Sequence, residues 1–215
     1  MSVIRAVVPV KDTGTAKQRL ASALSQKQRS ALALAMLEDV LSALTSARGL
    51  AGIEVVTIDE AARAIALRHG ATISDAAACE GHTAAVTTAA RRLARRGEAM
   101  LTIPGDVPLV TAAEIERVIA LHRAGNRFVI APARDERGSN AILAAPADAV
   151  PLRFGEDSFL PHLDAARACG IEPAILPLPG IGLDIDTPED LAAFLARPSR
   201  TEARSLLDRI GMRAA

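Results

Sequence analysis

Short apolar runs alternate with amphipathic stretches over the first 130 residues of the chain. Residues 4–10 (IRAVVPV) are too uniformly apolar for a sheet with one wet face, so they predict a central, parallel strand. Similar runs at 53–58, 71–74 and 99–103 predict three more strands. Strands that alternate with helices indicate right-handed βαβ units. We therefore predict the α/β class, as a three-layer α/β/α sandwich around a mostly parallel, Rossmann-like sheet.

Helix starts are marked by residues that can cap exposed backbone N–H groups. The capping-box spacing occurs at Ser25, Thr111 and Thr187, and each of these residues precedes an apolar periodicity of helical type. The remaining predicted elements are helices at 60–69, 83–96, 159–170 and 203–210, and strands at 128–131, 141–145 and 175–178. This pattern predicts a single domain over residues 1–197 and a helical tail over 198–215.

The composition of the chain argues against several classes of function. The chain has 25 basic and 25 acidic residues, and this balance argues against a general nucleic-acid or membrane-surface binder. Cys79 and Cys169 match no metal-binding spacing, which favours a reduced, intracellular chain. No apolar stretch reaches the length of about 18 residues that a membrane span needs, and the first residues lack a signal-peptide layout. We therefore expect a soluble cytoplasmic protein.

The loop after the first strand, residues 11–19 (the first loop), holds Lys11, Lys17 and Arg19 together with Gly14. In α/β folds a loop in this position binds phosphates through backbone N–H groups and cations. Neither the phosphate-loop pattern nor G-x-G-x-x-G is present, so the loop excludes P-loop kinases and dinucleotide enzymes. A solvated basic loop is the alternative interpretation.

Carboxylates occur at two predicted strand ends. Asp106 follows the 99–103 strand within the sequence LTIPGDVPL, where α/β sheets bind ligands. Asp184 and Asp186 lie just before a helix, and alternation along extended chain places both on one face. Carboxylates from two strand ends, completed by water and phosphate oxygens, form the usual octahedral Mg²⁺ site. The alternatives are a surface turn for Asp106 and helix capping for Asp186.

Five segments occur in one order: VPVKDTGTAKQRL at 8–20, GDVPL at 105–109, GSN at 138–140, FGEDS at 154–158 and DIDTPEDL at 184–191. In this combination the chain resembles the guanylyltransferase family of coenzyme F(420) biosynthesis, which is similar to the molybdenum-cofactor guanylyltransferases and to nucleotidyltransferases of the GT-A-like fold. The resemblance extends over roughly residues 3 to 195.

The resemblance implies transfer of GMP from GTP to a small phosphorylated three-carbon acid, with release of pyrophosphate. Acceptors in the family are 2-phospho-L-lactate, phosphoenolpyruvate and 3-phospho-D-glycerate. The activated product implies a downstream transferase as a partner. A homodimer is expected if residues 141–145 form part of a paired extension.

Site residues follow from the same resemblance. Asp106 and Asp186, with Asp184 nearby, match positions that hold Mg²⁺. Lys17 and Arg19 match positions that neutralise the triphosphate. Together with Asp106 these two cations form the expected catalytic set.

Further positions are assigned to the two substrates. Lys11 and Gly81 match the nucleotide-binding part of the family site, and Ser139, Gly155 and Ser158 match the acceptor-binding part. Ser158 also has the features of an N-cap for the helix that follows it. Arg153 and His162 flank the same helix start and carry no assigned role.

One segment departs from the family pattern. Relatives often have a G-L-N-x-A-L-type sequence where this chain has GHTAA at 81–85, so the usual Asn that contacts the nucleotide is absent. His82 is expected to be an ordinary surface residue at a helix start.

Three rival functions stay open. One is a nucleotidyltransferase with another acceptor, molybdopterin or a sugar phosphate, although the first loop has less glycine than a molybdopterin enzyme would show. Another is a glycosyltransferase, since residues 184–186 form a D-x-D sequence, which comes late in this chain for that class. The third is a non-catalytic nucleotide-binding module.

Overall fold

The computed structural model of the protein describes residues 2–155 and 157–213. Parts of three predictions, namely the first residue of the domain, Glu156 of FGEDS and the last two residues of the tail, lie outside the described residues. The strands are β1 (Ile4–Pro9), β2 (Gly52–Val56), β3 (Thr72–Ser74), β4 (Ala99–Thr102), β5 (Phe128–Pro132), β6 (Ser139–Ala144) and β7 (Ala174–Ile175). The α-helices are α1 (Gln26–Ser46), α2 (Glu60–Arg68), α3 (His82–Ala94), α4 (Ala112–Arg123), α5 (Phe159–Ala168), α6 (Pro188–Leu195) and α7 (Glu202–Arg209).

The strands form one sheet in the order β3-β2-β1-β4-β6-β5-β7. The strand β1 pairs in parallel with β2 and β4, β2 pairs in parallel with β3, and β5 pairs in parallel with β7. Only β6 is reversed among the described strands, because it is antiparallel to both β4 and β5. The predicted mostly parallel sheet is therefore confirmed. The carboxyl ends of β1, β4 and β5 and the beginning of β6 lie at the same edge.

Helices cover both faces of the sheet. Ala6 and Val8 of β1 pack in the apolar cluster that includes α1, α2 and α4, whereas Val7 packs in the cluster on the opposite face with α3 and α5. Alternate residues of a strand point to opposite faces, so a fully apolar strand is buried on both sides. The predicted three-layer sandwich is confirmed.

A third apolar cluster joins α6 and α7 to the second face of α1. Met36 of α1, Phe194 of α6 and Leu207 of α7 are all fully buried in it, together with Ile185 from the segment before α6. The cluster fixes that segment against α1, next to the edge of the sheet. The division at residue 197 between domain and tail stays a prediction. Among the described helices, none combines the length and apolarity that crossing a membrane requires.

The capping predictions are confirmed at three of four helices. Side chains of Ser25, Thr111 and Thr187 each close a capping box at the starts of α1, α4 and α6. The expectation for Ser158 is wrong: it precedes α5 with helical backbone angles, and its side chain makes no capping hydrogen bond. Its hydroxyl is instead used in the contact described below.

Two strands have other boundaries than predicted, and one of them is the strand expected to pair in a homodimer. The strand β7 is shorter than residues 175–178, and β6 begins two residues before Ala141. All six residues of β6 are buried between β4 and β5. Both edges of β6 are thus already occupied, so this strand cannot form the expected paired extension, and the homodimer itself stays a prediction.

We expect Gly180→Ala to destabilise the protein, because a Cβ atom at this position would overlap the Leu109 carbonyl oxygen and the Glu114 carboxylate. The Gly180 N–H donates to Glu114 Oε1 at 2.7 Å, so the segment cannot move away without losing this bond. The loss should be about 2 kcal/mol, measured by chemical denaturation. Gly105→Ala is the control, since its Cβ would meet only side chains at 3.4 Å or more. Equal stability of the two variants would contradict the close approach.

We expect Asp39→Ala to loosen α7. The Asp39 carboxylate accepts the N–H groups of Glu202 and Ala203 at 2.7 and 3.0 Å, which would otherwise lack partners in the first turn of the helix. Loss of these bonds should cost about 1 kcal/mol and speed amide exchange in α7. Asp208→Ala removes an exposed ion pair with Arg204 on the same helix and serves as the control. Unchanged exchange in Asp39→Ala would show that the cap does not stabilise α7.

Candidate active site

A cavity of about 840 Å³ opens at the edge of the sheet where β1, β4 and β5 end and β6 begins. All ten residues assigned to the site from the sequence line this cavity. They are Lys11, Lys17, Arg19, Gly81, Asp106, Ser139, Gly155, Ser158, Asp184 and Asp186. The structure thus brings together segments that lie far apart in the chain.

The first loop is fixed at one end by a carboxylate of the second βα connection. Thr13 donates its N–H and its hydroxyl to Asp59 Oδ2 at 2.8 and 2.6 Å. The other oxygen of Asp59 accepts the Ala62 N–H at the start of α2. Burial alone raises the pKa of Asp59, but the hydrogen bonds from Thr13 and from backbone N–H groups outweigh it and hold the pKa below its ordinary value. Asp59 therefore ties the first loop to α2.

Lys17 lies between two carboxylates at the centre of the cavity. Its Nζ is 2.6 Å from Asp106 Oδ2 and 2.6 Å from Asp186 Oδ1. The side chain of Lys17 is only 8% exposed, and its backbone has a positive φ of 56°. Burial by itself lowers the pKa of Lys17, but the charges of Asp106 and Asp186 outweigh it and raise the pKa above its ordinary value. Lys17 is therefore a fixed cation at neutral pH.

Backbone and amide hydrogen bonds hold the carboxylates of Asp106, Asp184 and Asp186, the carboxylate cluster, in place. The Ile185 N–H donates to the Asp106 carbonyl at 3.1 Å, which joins the two carboxylate-bearing segments directly. Asn140, the second residue of β6, donates its amide N–H groups to Asp184 Oδ1 at 2.9 Å and to the Ile181 carbonyl at 3.0 Å. The cluster is thus positioned by main chain as well as by Lys17.

The carboxylate cluster has more negative charge than Lys17 compensates. Asp106 Oδ1 is buried and has no hydrogen-bond partner within the described residues. Burial, reinforced by the charge of Asp106, raises the pKa of Asp184 to about 6. In Asp186, burial is outweighed by Lys17, so the pKa of that carboxyl lies below its ordinary value. Within the described chain, no three His, Cys, Asp or Glu side chains gather as a preformed metal site.

These donors nevertheless suit a divalent cation that binds together with a polyphosphate. Asp106 and Asp186 each place an oxygen 2.6 Å from the Nζ of Lys17. Asp106 has a second oxygen, Oδ1, without a hydrogen-bond partner among the described residues. Mg²⁺ is commonly held by one or two carboxylates, with waters and substrate phosphates supplying the other ligands. The chemistry of these residues therefore fits Mg²⁺, and Asp106 and Asp186 are the side chains that could hold it.

A second set of polar side chains lies on the other side of the cavity. Ser139 Oγ is 2.9 Å from His162 Nδ1 and accepts the Ser158 hydroxyl at 3.4 Å. The Arg153 N–H donates to His162 Nε2 at 2.9 Å. Burial lowers the pKa of His162 to about 4, so the ring is neutral and does not add charge to the site. Gly155, at the exposed rim, has a φ of 141° that favours glycine.

The loop that carries Gly155 is joined to the start of α3. Thr83 Oγ1 accepts the Phe154 N–H at 3.0 Å and donates to the Phe154 carbonyl at 3.3 Å. The His82 ring stacks on Phe154 at a centroid distance of 4.3 Å, and its Nε2 is buried. The expectation of an ordinary surface His82 is therefore wrong. Burial lowers the pKa of His82 to about 4, so this ring is also neutral.

The remaining predicted residues lie at the rim of the cavity. Lys11 and Arg19 are exposed on the side of the first loop, where their charges lower the pKa of Asp186 after the larger effects of burial and Lys17. Gly81 precedes α3 with a φ of 96°, a conformation that side chains rarely adopt. The two cations and this helix start all line the cavity, as expected for a polyphosphate site.

Sequence reasoning missed several residues that position the site. Asp59 has a local signal, since it precedes a helix, but its contact with the first loop crosses 46 positions of the chain. Asn140 lies in the GSN sequence, and its amide contact spans 44 positions. His162 is one turn into α5, where its apolar neighbours indicate burial. That burial could have suggested a neutral, hydrogen-bonded ring.

Comparisons with known proteins identify the family of this chain. A family model described as Guanylyl transferase CofC like matches residues 4–215. The phosphoenolpyruvate guanylyltransferase of Rubrobacter xylanophilus is 38% identical over 201 residues, which are 91% of this chain and 95% of the relative. The 3-phospho-D-glycerate guanylyltransferase of Colwellia psychrerythraea is 36% identical over 203 residues, which are 93% and 96% of the two chains.

Solved structures share the fold. A protein of Desulfovibrio desulfuricans G20 superposes with a TM-score of 0.78 at 19% identity, covering 98% of this chain and 96% of that one. The 4-diphosphocytidyl-2C-methyl-D-erythritol synthase of Anaerococcus prevotii DSM 20548 gives a TM-score of 0.61 at 14% identity, covering 91% and 97%. At such identities the likeness concerns the fold alone. The resemblance found in the sequence motifs is confirmed by the family model and by the relatives: the chain belongs to the CofC-like guanylyl transferase family.

Proposed function

We propose that this protein transfers GMP from GTP to a small phosphorylated three-carbon acid and releases pyrophosphate, as a step of coenzyme F(420) biosynthesis. The observation that carries the proposal is the position of Lys17 between Asp106 and Asp186, in a cavity whose other side presents buried Ser139 and Ser158. One side of this cavity suits a triphosphate with its cation, and the other side suits a small anion.

The reaction needs little covalent help from the protein. A phosphate oxygen of the acceptor attacks the α-phosphorus of GTP, a new phosphoanhydride bond forms, and the bond to pyrophosphate breaks with its electron pair going to the leaving group. The attacking phosphate monoester is already anionic near neutral pH, so no general base is required. Catalysis then consists of holding two polyanions in line and stabilising the charge that develops on pyrophosphate.

The first loop supplies the fixed positive charge for this task. Lys17 stays protonated because two carboxylates surround it, and its buried position leaves little solvent to screen its charge. Arg19 and Lys11 add charge at the rim of the cavity. We assign the triphosphate to this region, and the guanosine to the adjoining segment that begins at Gly81.

Asp106 and Asp186 would hold Mg²⁺, with Asp184 close by. When bound, Mg²⁺ would neutralise phosphate charge and bring the nucleotide to the carboxylate cluster. Asn140 keeps Asp184 in place through its amide, and Lys17 keeps the other two carboxylates close together. The protein thus offers a site with uncompensated negative charge to which a cation and a polyphosphate bind together.

The acceptor binds on the opposite side, at Ser139, Gly155 and Ser158. Relatives of nearly equal identity are named for different acceptors, phosphoenolpyruvate in one case and 3-phospho-D-glycerate in another. Both are phosphorylated three-carbon acids, as is 2-phospho-L-lactate, so we propose this class as the substrate. A product with a phosphoanhydride is an activated group, and a downstream transferase would consume it.

The direct test incubates the purified protein with GTP, Mg²⁺ and each of the three acids in turn, and measures pyrophosphate release. We expect release with at least one acid, complete loss on chelation of the metal, and recovery when Mg²⁺ is restored. The product is then captured with a downstream transferase.

Two results would contradict the proposal. Release only with molybdopterin or a sugar phosphate would assign another acceptor. GTP binding without pyrophosphate release under any condition would indicate a non-catalytic nucleotide-binding module. A reaction without acceptor, which would be simple GTP hydrolysis, is the control in every series.

We expect Asp106→Asn to lower kcat by about 100-fold or more, because it removes a ligand for the cation and one of the charges that orient Lys17. The fold should remain, since the change relieves repulsion within the carboxylate cluster rather than creating a cavity. Asp164→Asn, at an exposed position on α5, is the matched control. Activity of Asp106→Asn that equals wild type and still requires Mg²⁺ would contradict the metal assignment, provided that thermal unfolding shows both variants folded.

A further inference from the structure

His162 is buried and contacts Ser139 on the acceptor side of the cavity. It is 1% exposed and lies on α5. Its ring contacts a residue of β6 and a residue of the loop before α5, which are distant in the chain. One ring nitrogen faces the main chain of Arg153, and the other faces the side chain of Ser139. The protons on this ring can be assigned from these two partners.

The Arg153 contact determines which nitrogen carries the proton. A backbone N–H is always a donor, so His162 Nε2, 2.9 Å away, must accept and therefore has a free lone pair. A ring with a free lone pair is neutral, in agreement with its buried position, which lowers its pKa to about 4 with a smaller contribution from His82. The proton is therefore on Nδ1, and Nδ1–H donates to Ser139 Oγ at 2.9 Å.

Ser139 Oγ then has both of its acceptor positions in use. One lone pair accepts Nδ1–H of His162, and the other accepts the Ser158 hydroxyl at 3.4 Å. A serine hydroxyl has two lone pairs and one proton, so only the proton of Ser139 is left. In the described part of the chain no acceptor contacts this proton, and Ser139 lines the cavity.

We infer that His162 is a positioning residue that makes Ser139 a hydrogen-bond donor only, directed at an anionic oxygen of the acceptor acid. The inference rests on the proposed function, because it concerns the acceptor side of that site. A hydroxyl that can only donate favours a carboxylate or phosphate oxygen and disfavours a ligand group that must itself donate. The acid would thus be selected for its negative charge through a neutral group at this position.

The effect should be confined to one substrate. Ser139 and Asn140 are consecutive residues of β6, and their side chains go to different partners: Ser139 to His162 of α5, and Asn140 to Asp184 of the carboxylate cluster. Asn140 lies where the pairing of β6 with β5 shifts register, and its amide is bound to Asp184 and to the Ile181 carbonyl, so a change at His162 does not reach the carboxylate cluster through Asn140. Loss of His162 should therefore weaken binding of the acid more than binding of GTP, because among the described residues the His162 ring reaches the segment at Gly81 only through Phe154.

The experiment compares His162→Phe, which keeps the ring volume and loses the donor, with His162→Asn, whose amide N–H takes the place of Nδ1–H. We expect the KM of the acid to rise about tenfold in His162→Phe and to stay within about threefold of wild type in His162→Asn. The KM of GTP should stay within about twofold in both variants. In a Ser139→Ala background, His162→Phe should add no further loss, because the donor it orients is already absent.

A measurement on the unmodified protein does not depend on activity. In the protein labelled with ¹⁵N at its four histidines, NMR shifts should identify His162 as the neutral Nδ1–H form throughout pH 6 to 8, with the signal assigned by its loss in His162→Phe. A protonated ring, or a neutral ring with its proton on Nε2, would overturn the inference. So would an equal rise in the KM values of acid and GTP, or an unchanged KM of the acid in His162→Phe.

The two proposals fail in different ways. If wild type releases no pyrophosphate with any of the acids, the proposed function is overturned, and the NMR result alone then supports or overturns the proton arrangement at Ser139. If Ser139→Ala raises the KM of the acid and His162→Phe does not, the acceptor site stands and the role of His162 is overturned.

Discussion

Electrostatic attraction between one lysine and two carboxylates organises the candidate site. Lys17 is 89 positions from Asp106 and 169 positions from Asp186, yet its ammonium is in contact with both. Without a cation, carboxylates gathered at one sheet edge would repel each other and would neutralise by taking up protons. The positive φ of Lys17 costs roughly 1 kcal/mol or more of backbone strain, and the surrounding contacts hold the residue in that conformation.

The parts that sequence predicts best depend on local pattern. The β1 segment is apolar at nearly every position, which requires burial on both faces and hence a parallel sheet with helices on each side. Thr111 and Thr187 cap their helices through neighbours three positions away, so the sequence contains the whole interaction. The sequence indicates Asp106 as a site residue because it follows a strand, and the carboxyl ends of parallel strands lie at one edge of the sheet.

The parts that sequence did not predict depend on partners far away in the chain. Thr13 reaches Asp59, and Ser139 reaches His162, through contacts that no local spacing encodes. Ser158 shows the same difficulty in reverse: its local signal favours capping, but its hydroxyl donates to Ser139 across 19 positions. Where a side chain has more than one possible hydrogen-bond partner, the tertiary structure determines which partner it takes, and no local pattern specifies that choice.

The reversed strand β6 has a consequence for how such a site can diversify. Its parallel neighbours bring their final residues to the cavity, whereas β6 brings its first ones, so Ser139 and Asn140 enter from the opposite chain direction. The hairpin between β5 and β6 can therefore change in length or composition while β1 and β4, beside which we propose that the nucleotide binds, keep their positions. Exchange of one small acid for another would then require changes to a hairpin and a helix start, with the machinery for GTP left intact.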